Sequence, residues 1–208
     1  MKKIISFIAV IFITTAALAQ VNLGITAGAN FAKLNISASG FTVKTSTLTS
    51  FHAGLIADAS LASNIHFQPQ LLLSGKGGKV TSDGQSATIN PFYLELPLNF
   101  IYKAEAGSGQ IFGGVGPYAA FGLFGKAKGG GQSHDIKFGS GDNDDLKSTD
   151  FGGNVIAGYQ LNSGLMIMAN YSFGLADCAP KSSDGKIKNS YFGISLAYMF
   201  SGNKSGNE

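Results

Sequence analysis

The stretch Phe92-Tyr-Leu-Glu-Leu-Pro-Leu-Asn-Phe-Ile-Tyr-Lys103 alternates between apolar and polar side chains with a period of two. Its even positions are all Phe, Leu or Tyr, whereas its odd positions include Glu95, Asn99 and Lys103. Because neighbouring side chains of a β-strand point to opposite faces, the pattern predicts a strand with one apolar face and one face that carries both charges. A shift of one residue would exchange the two faces, so the register of this strand is strongly specified.

The same alternation recurs along the chain and predicts eight strands. They span approximately residues 21–33, 51–61, 65–74, 92–103, 110–124, 150–160, 165–174 and 191–200. The connections between them alternate between long segments (34–50, 75–91, 125–149 and 175–190) and short ones (62–64, 104–109 and 161–164). An even number of strands with alternating long and short connections is typical of outer-membrane barrels. The predicted fold is therefore all-β, an eight-stranded antiparallel up-and-down transmembrane β-barrel.

Periodicity alone does not distinguish a membrane barrel from a secreted soluble barrel that binds an apolar ligand inside. The position of the charges favours the membrane, because most charged residues after the first twenty, Lys76 among them, fall in the four long connections. The polar strand faces consist mostly of Gly, Ser, Asn and Gln. Such faces suit a narrow lumen filled by side chains better than open solvent.

Aromatic residues on the apolar faces predict two girdles, as expected for strands that cross a bilayer. The girdle at the outer end consists of Phe31, Phe51, Phe92, Phe121, Phe151, Phe173 and Phe192. The girdle at the periplasmic end consists of Phe67, Tyr102, Tyr159, Tyr198 and Phe200.

The N-terminal segment has the features of a secretory signal peptide. Lys2 and Lys3 precede a short apolar run, and Ala17-Leu-Ala19 forms a cleavage site. We expect cleavage after Ala19 and export to the outer membrane. The predicted organisation is a signal peptide at 1–19, the barrel at 20–200 and a flexible tail at 201–208.

The composition excludes several classes of protein. The chain has 208 residues, of which 13% are charged, 29 are Gly and one is Cys. Its basic residues are all Lys, and the net charge is only +3, which argues against a nucleic-acid-binding face. A single Cys excludes a disulfide framework and a Cys-rich zinc site, and a hydrophobic content of 44% excludes a disordered chain.

Several short motifs carry a resemblance to a known family, among them Gln68-Pro-Gln-Leu-Leu, Tyr93-Leu-Glu-Leu-Pro-Leu and Gly114-Val-Gly-Pro-Tyr. The chain resembles the small outer-membrane β-barrel proteins of Bacteroidetes, known as PorT-family or porin-family proteins. The resemblance implies insertion by the outer-membrane barrel assembly machinery, and the segment 191–200 is similar to the C-terminal signal that this machinery recognises. Many such signals end at the aromatic residue, whereas here eight residues follow Phe200. The family tolerates prolines inside strands, and its name implies a link to secretion.

Inward-facing polar residues of the predicted strands form a candidate lumen network. Its proposed members are Asp58, Gln68, Gln70, Glu95 and Lys103. Glu95 and Lys103 lie eight residues apart on one strand, so each needs a partner on another strand. We favour a polar plug that fills the lumen over a path for protons or a ligand, because an eight-stranded barrel has little free interior.

Three prolines interrupt the predicted strands. Pro69, Pro97 and Pro117 lie inside predicted strands, where each requires a bulge or a relaxed local register.

The acidic run in the connection 125–149 lacks the Gly and Glu that an EF-hand requires, which favours a solvated loop over a cation site. No metal site is expected.

The search for catalytic motifs favours a protein that is not an enzyme. A Ser hydrolase elbow, a zinc-protease motif and a Walker loop are all missing from the sequence. A membrane-embedded lipid hydrolase would need His52, His66 or His134 beside a Ser and a carboxylate. Cys178 is interpreted as a lone, non-catalytic thiol. No cofactor is expected.

The sequence therefore favours a monomeric structural or interaction scaffold that acts through four outer loops, chiefly the connection 125–149. Its expected partners are outer-membrane lipid, the assembly machinery and an envelope protein of unknown identity, but not nucleic acid. A narrow channel for ions or small solutes and a secreted soluble barrel remain as alternatives.

Overall fold

The computed structural model describes residues 21–38, 41–82, 85–139, 141, 143–180 and 185–200. The predicted signal peptide at 1–19 and the predicted tail at 201–208 lie outside these residues. None of the described residues forms a helix long and apolar enough to cross a membrane.

The described part of the chain folds into antiparallel β-strands. They are β1 (Val21–Ala38), β2 (Phe41–Lys44), β3 (Leu48–Ser60), β4 (Ile65–Gly75), β5 (Gly78–Ser82), β6 (Gln85–Ala106), β7 (Gly109–Gly129), β8 (Gln132–Asp135), β9 (Thr149–Leu161), β10 (Leu165–Gly174) and β11 (Lys186–Met199).

Eight of these strands form a closed ring, which confirms the predicted barrel. The ring runs β1-β3-β4-β6-β7-β9-β10-β11, and β11 closes it by pairing with β1, for example Ala29 with Ile194. The N-terminal end of β1 and the C-terminal end of β11 therefore lie at the same side of the barrel as the short connections. Closure satisfies the edges that an open sheet would leave unpaired.

The strand bounds predicted from alternation were too short at the end with the long connections. Three of those connections contain strands: β2 pairs with β1, β5 with β6, and β8 with β7. β6 begins at Gln85, seven residues before the predicted start at Phe92. Alternation misses these extensions because residues such as Gln85 and Ser86 are exposed to solvent, so nothing selects an apolar face there.

The barrel is apolar outside and largely polar inside. Residues such as Leu55, Val115 and Leu196 are more than half exposed, whereas Asn30, Gln68, Glu95, Asn99 and Asp150 are buried in the lumen. An apolar cluster around Ile101, Phe112 and Met166 fills part of the remaining interior. This distribution disagrees with the soluble alternative, which requires the apolar faces to point inward around a ligand.

A bulge in β7 interrupts the alternation of this strand near its upper end. Phe92 of β6 lies opposite Phe124, but the next residue, Tyr93, lies opposite Gly122, so Leu123 is the extra residue. A bulge places two residues opposite one and resets the phase of the strand. As a result Leu123 and Phe124 both face outward, although they are adjacent in sequence.

The prolines do not lie at this bulge. The pairing of β4 with β6 is interrupted between Pro69 and Leu72, next to Pro97, and the pairing of β6 with β7 is interrupted opposite Pro117. The register is the same on both sides of each gap. The barrel therefore accommodates proline by omitting ladder pairs locally rather than by inserting residues.

Candidate functional site

Two clusters of charged side chains lie in the lumen. The lower cluster, near the short connections, contains Asp58, His66, Gln68 and Lys103. The upper cluster, near the long connections, contains Lys76, Glu95 and Asp150 together with three tyrosines. Inward-facing polar side chains, among them Asn30, His52 and Gln70, lie between the two clusters.

The lower cluster contains three of the five residues predicted for the lumen network. Lys103 Nζ lies 2.7 Å from Asp58 Oδ2 and donates a second bond of 2.8 Å to Gln160 Oε1. His66 Nδ1 lies 2.7 Å from Asp58 Oδ1, and Gln68 Nε2 donates to Asp58 Oδ2 at 3.2 Å. Lys103 thus finds its partner on another strand, as its distance from Glu95 requires. One carboxylate faces one ammonium here, and His66 and Gln68 are its further partners.

The middle of the lumen is held by neutral hydrogen bonds. Asn30 Nδ2 donates to Ser74 Oγ at 3.1 Å, and Asn30 Oδ1 lies 2.7 Å from His52 Nδ1. His52 Nε2 lies 2.8 Å from Ser195 Oγ. Gln70, the fourth predicted network residue, is buried beside His52 and lines a void of about 10 Å³. Such a void holds about one water molecule, not a solute.

The upper cluster is built around a buried lysine. Lys76 Nζ lies 2.9 Å from Asp150 Oδ2 and 3.0 Å from Glu95 Oε2, the second contact being an ion pair without hydrogen-bond alignment. The ammonium also lies over the Tyr118 ring, 4.2 Å from its centroid, and 5.2 Å from that of Tyr93. Aromatic faces and carboxylates are the groups that stabilise a desolvated ammonium.

Further donors hold the two carboxylates in place. Tyr191 Oη donates to Glu95 Oε1 at 2.7 Å, and Asn189 Nδ2 donates to Asp150 Oδ2 at 3.1 Å. Tyr118 Oη donates to the same Asp150 carboxylate at 3.3 Å. The upper cluster therefore has two carboxylates for one ammonium, and the extra negative charge is stabilised by hydroxyl and amide dipoles.

The prediction missed the centre of the upper cluster. Lys76 lies in the connection 75–91, as predicted, but its side chain is completely buried, and neither Lys76 nor Asp150 was included in the network. The missed signal is the phase of the strand, since Lys76 continues the inward series of Gln70, Leu72 and Ser74. Gly77, with φ of 114°, lets the chain turn directly after it.

The long connections cover the upper cluster. Ile136, Leu146, Ala176 and Cys178 are buried there, and the Phe138 ring packs against Tyr93 at 5.6 Å in an edge-to-face arrangement. Burial raises the pKa of the Cys178 thiol to about 12, and Asp150 nearby acts in the same direction. The thiol is therefore protonated at neutral pH and is a poor nucleophile.

The described parts of the connections 125–149 and 175–190 form this cover, and hydrogen bonds within it stabilise its turns. Asp177 Oδ1 accepts bonds of 3.0 Å from the backbone N–H groups of Ala179 and Ile187, and Asp177 Oδ2 one of 3.2 Å from Lys147 Nζ. Partial burial opposes ionisation of Asp177, but these donors outweigh it and hold the pKa below its usual range.

The acidic run in the same cover is also used locally. Asp144 Oδ2 accepts from the backbone of Gly141 at 2.6 Å, and Asp145 Oδ2 from that of Lys137 at 2.8 Å. Within the described ranges no group of three or more His, Cys, Asp or Glu could hold a metal ion, and Asp142 lies outside those ranges.

The predicted girdle residues lie on the outward face of the barrel. At the upper end the aromatic rings form contacts between Phe31 and Phe192 and between Phe51 and Phe92. At the lower end Tyr102, Tyr198 and Phe200 are exposed, Phe67 packs on Phe100, and Tyr159 Oη donates to the carbonyl of Ala106. The remaining predicted members at the upper end, Phe121, Phe151 and Phe173, are exposed. Their contact with lipid stays a prediction.

The histidines have partners that the sequence did not indicate. The Asn30 amide nitrogen donates to Ser74 Oγ, so the Asn30 oxygen is the acceptor that faces His52. The His52 proton therefore lies on Nδ1, and Nε2 accepts from the Ser195 hydroxyl. Ser195, His52 and Asn30 thus have the order of a catalytic triad, but all three are buried in the lumen wall. His134 is exposed on β8.

Comparisons with known proteins gave a match to one family model and several structural similarities. A family model described as "Outer membrane protein beta-barrel domain" matches residues 16–179. Among solved structures, the chain is similar to Ail, the attachment invasion locus protein of Yersinia pestis, with 13% identity and a TM-score of 0.41 over 86% of this chain and 99% of that chain.

Two further solved structures have comparable similarity. Neisserial surface protein A has 12% identity and a TM-score of 0.46 over 86% of this chain and 97% of that chain. OprG from Pseudomonas aeruginosa has 13% identity and a TM-score of 0.45 over 88% of this chain and 95% of that chain. The comparison with curated protein sequences gave no match.

Proposed function

Because the chain belongs to the outer membrane protein beta-barrel domain family, we propose that it is a monomeric scaffold of the outer membrane. The barrel anchors the long connections at the cell surface, where they contact another envelope component. The lumen does not conduct. The observation that carries this proposal is the upper cluster, in which a completely buried Lys76 closes the barrel beneath the long connections.

The upper cluster closes the lumen by chemistry as well as by volume. A solute that passed this point would have to separate Lys76 from both Glu95 and Asp150, which lie 3.0 Å and 2.9 Å from its ammonium. Separation would leave unpaired charges in a site with little water, and such charges are strongly unfavourable. Above the cluster, Phe138 and Leu146 add an apolar layer.

The long connections suit an interaction surface because the strands extend beyond the barrel. β7 and β8 form a hairpin that ends in Gly130 and Gly131, both with positive φ and both exposed. Lys126 and Asp135 on this hairpin are 65% and 85% exposed, and their weak mutual ion pair leaves both accessible to a charged partner. A rigid barrel that presents exposed connections is a common basis for recognition.

The route to the membrane is part of the same proposal. Residues 1–19 act as a signal peptide that is cleaved after Ala19, and the barrel assembly machinery inserts the chain. The resemblance to the PorT-family and porin-family proteins of Bacteroidetes supports a role in the envelope, including an accessory role in secretion.

We infer that the protein is not an enzyme. Ser195, His52 and Asn30 are aligned like a triad, but the void beside them measures about 10 Å³ and admits no lipid or peptide. A fluorophosphonate probe should leave Ser195 unlabelled in the folded barrel. Labelling that disappears in the Ser195→Ala variant would contradict this inference.

The scaffold role is tested by site-specific crosslinking in cells. A photoreactive residue at Ser133, exposed on β8, should give adducts with an envelope protein, whereas the same residue at Ser163, exposed in a short connection, should not give them. Adducts that are equal at both positions would contradict recognition through the long connections.

Closure is tested separately in planar bilayers. The purified barrel, shown to be folded by its change in gel mobility on boiling, should give no steps of conductance. Regular conductance steps from the wild-type protein would favour the narrow channel instead.

A further inference from the structure

A cleft lies on the outward surface where β6 and β7 rise above the upper aromatic girdle. Its volume is about 690 Å³, within the range of roughly 300–1,000 Å³ that is usual for ligand sites. Phe92, Leu123 and Phe124 form part of its floor, and Lys126 and Lys128 lie on its rim. The lumen clusters do not use this cleft, and the scaffold role involves only Lys126 and Asp135 of its lining.

The bulge in β7 creates the apolar floor. Because Leu123 is the extra residue, two consecutive apolar side chains face outward, and they are 47% and 53% exposed. The Phe124 ring stacks on Phe92 at 5.2 Å, and Phe92 contacts Phe51 at 5.1 Å. The floor is thus continuous with the girdle that faces the bilayer.

The rim carries a net positive charge just beyond the upper aromatic girdle. Lys126 and Lys128 follow Phe124 at intervals of two residues, so they share its outward face. Asp135 lies 3.7 Å from Lys126 Nζ, but both side chains are largely exposed and this pair is weak. Two ammonium groups and one carboxylate leave an excess of one positive charge beside the apolar floor.

We propose that this cleft binds a phosphorylated lipid of the outer leaflet. An acyl chain packs on Phe92, Leu123 and Phe124, and a phosphate group accepts hydrogen bonds from Lys126 and Lys128. The occupant is a lipid because the floor joins the bilayer-facing surface, and it is anionic because the rim is basic. The inference requires the outer-membrane location but not the scaffold role.

Native mass spectrometry of the full barrel released from detergent micelles tests the proposal. Lipid A, which carries two phosphates, should bind one-to-one and saturably, and monophosphoryl lipid A should bind more weakly. Lys126→Gln/Lys128→Gln should lower the affinity for lipid A at least tenfold. The control Lys33→Gln/Lys186→Gln removes two exposed lysines from the opposite wall and should change the affinity less than twofold.

The floor is tested by a second pair of variants. Leu123→Ser/Phe124→Ser should weaken binding at least tenfold, whereas Ile194→Ser/Leu196→Ser, on exposed residues of β11, should not. Equal losses in a variant and its control would overturn the site, as would the absence of saturable binding. Dimers that disappear only in Leu123→Ser/Phe124→Ser would instead make the cleft a contact between copies of the chain and overturn the lipid assignment.

Discussion

Both charged clusters of the lumen stabilise buried charges, but they differ in the ratio of carboxylate to ammonium groups and in solvent exposure. The lower cluster pairs Lys103 with Asp58 one to one, and His66, which is 16% exposed, lies at its edge. The upper cluster places one ammonium between two carboxylates under an apolar cover, and both sides of each ion pair are at most 1% exposed. A buried ion pair adds little stability when intact but costs much when one partner is lost. The upper cluster should therefore lose more stability than the lower cluster when one of its charged partners is removed.

The largest expected effect comes from Lys76→Met. This substitution keeps the volume but leaves two buried carboxylates without a cation, so it should lower the free energy of unfolding by about 3–5 kcal/mol. Denaturant titration of the barrel in micelles measures the change. If Lys76→Met/Glu95→Gln fails to recover part of the loss, the charge imbalance is not its cause.

Lys103→Met should have a smaller effect of about 1–3 kcal/mol. Asp58 keeps its contacts with His66 and Gln68, so the carboxylate still has two hydrogen-bonding partners after Lys103 is lost. The same titration compares it with Lys76→Met. A loss as large as that of Lys76→Met would erase the proposed difference between the clusters.

Within the upper cluster, Asp150→Asn should cost more than Glu95→Gln. The Asp150 carboxylate accepts from Lys76, Asn189 and Tyr118, whereas Glu95 has one hydrogen-bond donor, Tyr191, besides its ion pair. We expect about 2 kcal/mol for Asp150→Asn and about 1 kcal/mol for Glu95→Gln, because each lost charged hydrogen bond contributes an amount of this order. The reverse ranking would show that the ion pair of Glu95 dominates the cluster.

The smallest effect concerns the cover. The pKa of Cys178 is raised from 9.0 to about 12 in the folded barrel, so the unfolded thiol ionises first as the pH rises. The contribution of Cys178 to stability should be complete below about pH 9 and should decline as the pH rises from there toward 12. Cys178→Ala should remove this decline, which unfolding titrations at pH 8 and pH 10 can detect. Rapid alkylation of the folded protein by iodoacetamide at pH 8 would show instead that the cover is open.

The sequence determined the barrel because a bilayer imposes alternation on every strand that crosses it. Alternation in the segment 92–103 correctly predicted which of its side chains point into the lumen, and the same rule predicted the eight strands of the ring. Alternation ends where solvent meets both faces, which is why the extensions of β6 and β7 and the strands β2, β5 and β8 could not be predicted.

The pairing of side chains inside the lumen depends on the tertiary structure. Alternation along each strand predicted that Asp58, Gln68, Glu95 and Lys103 point into the interior. The partners of a buried charge, however, come from strands and turns far apart in sequence. Lys76 and Asp150 are separated by 74 positions and meet only because the ring closes. Likewise, one extra residue in β7 turns Leu123 and Phe124 outward together, and no local pattern announces a bulge. The side to which a residue points is a property of its own strand. The contacts between side chains in the lumen depend on the closure of the barrel and on the register among all eight strands.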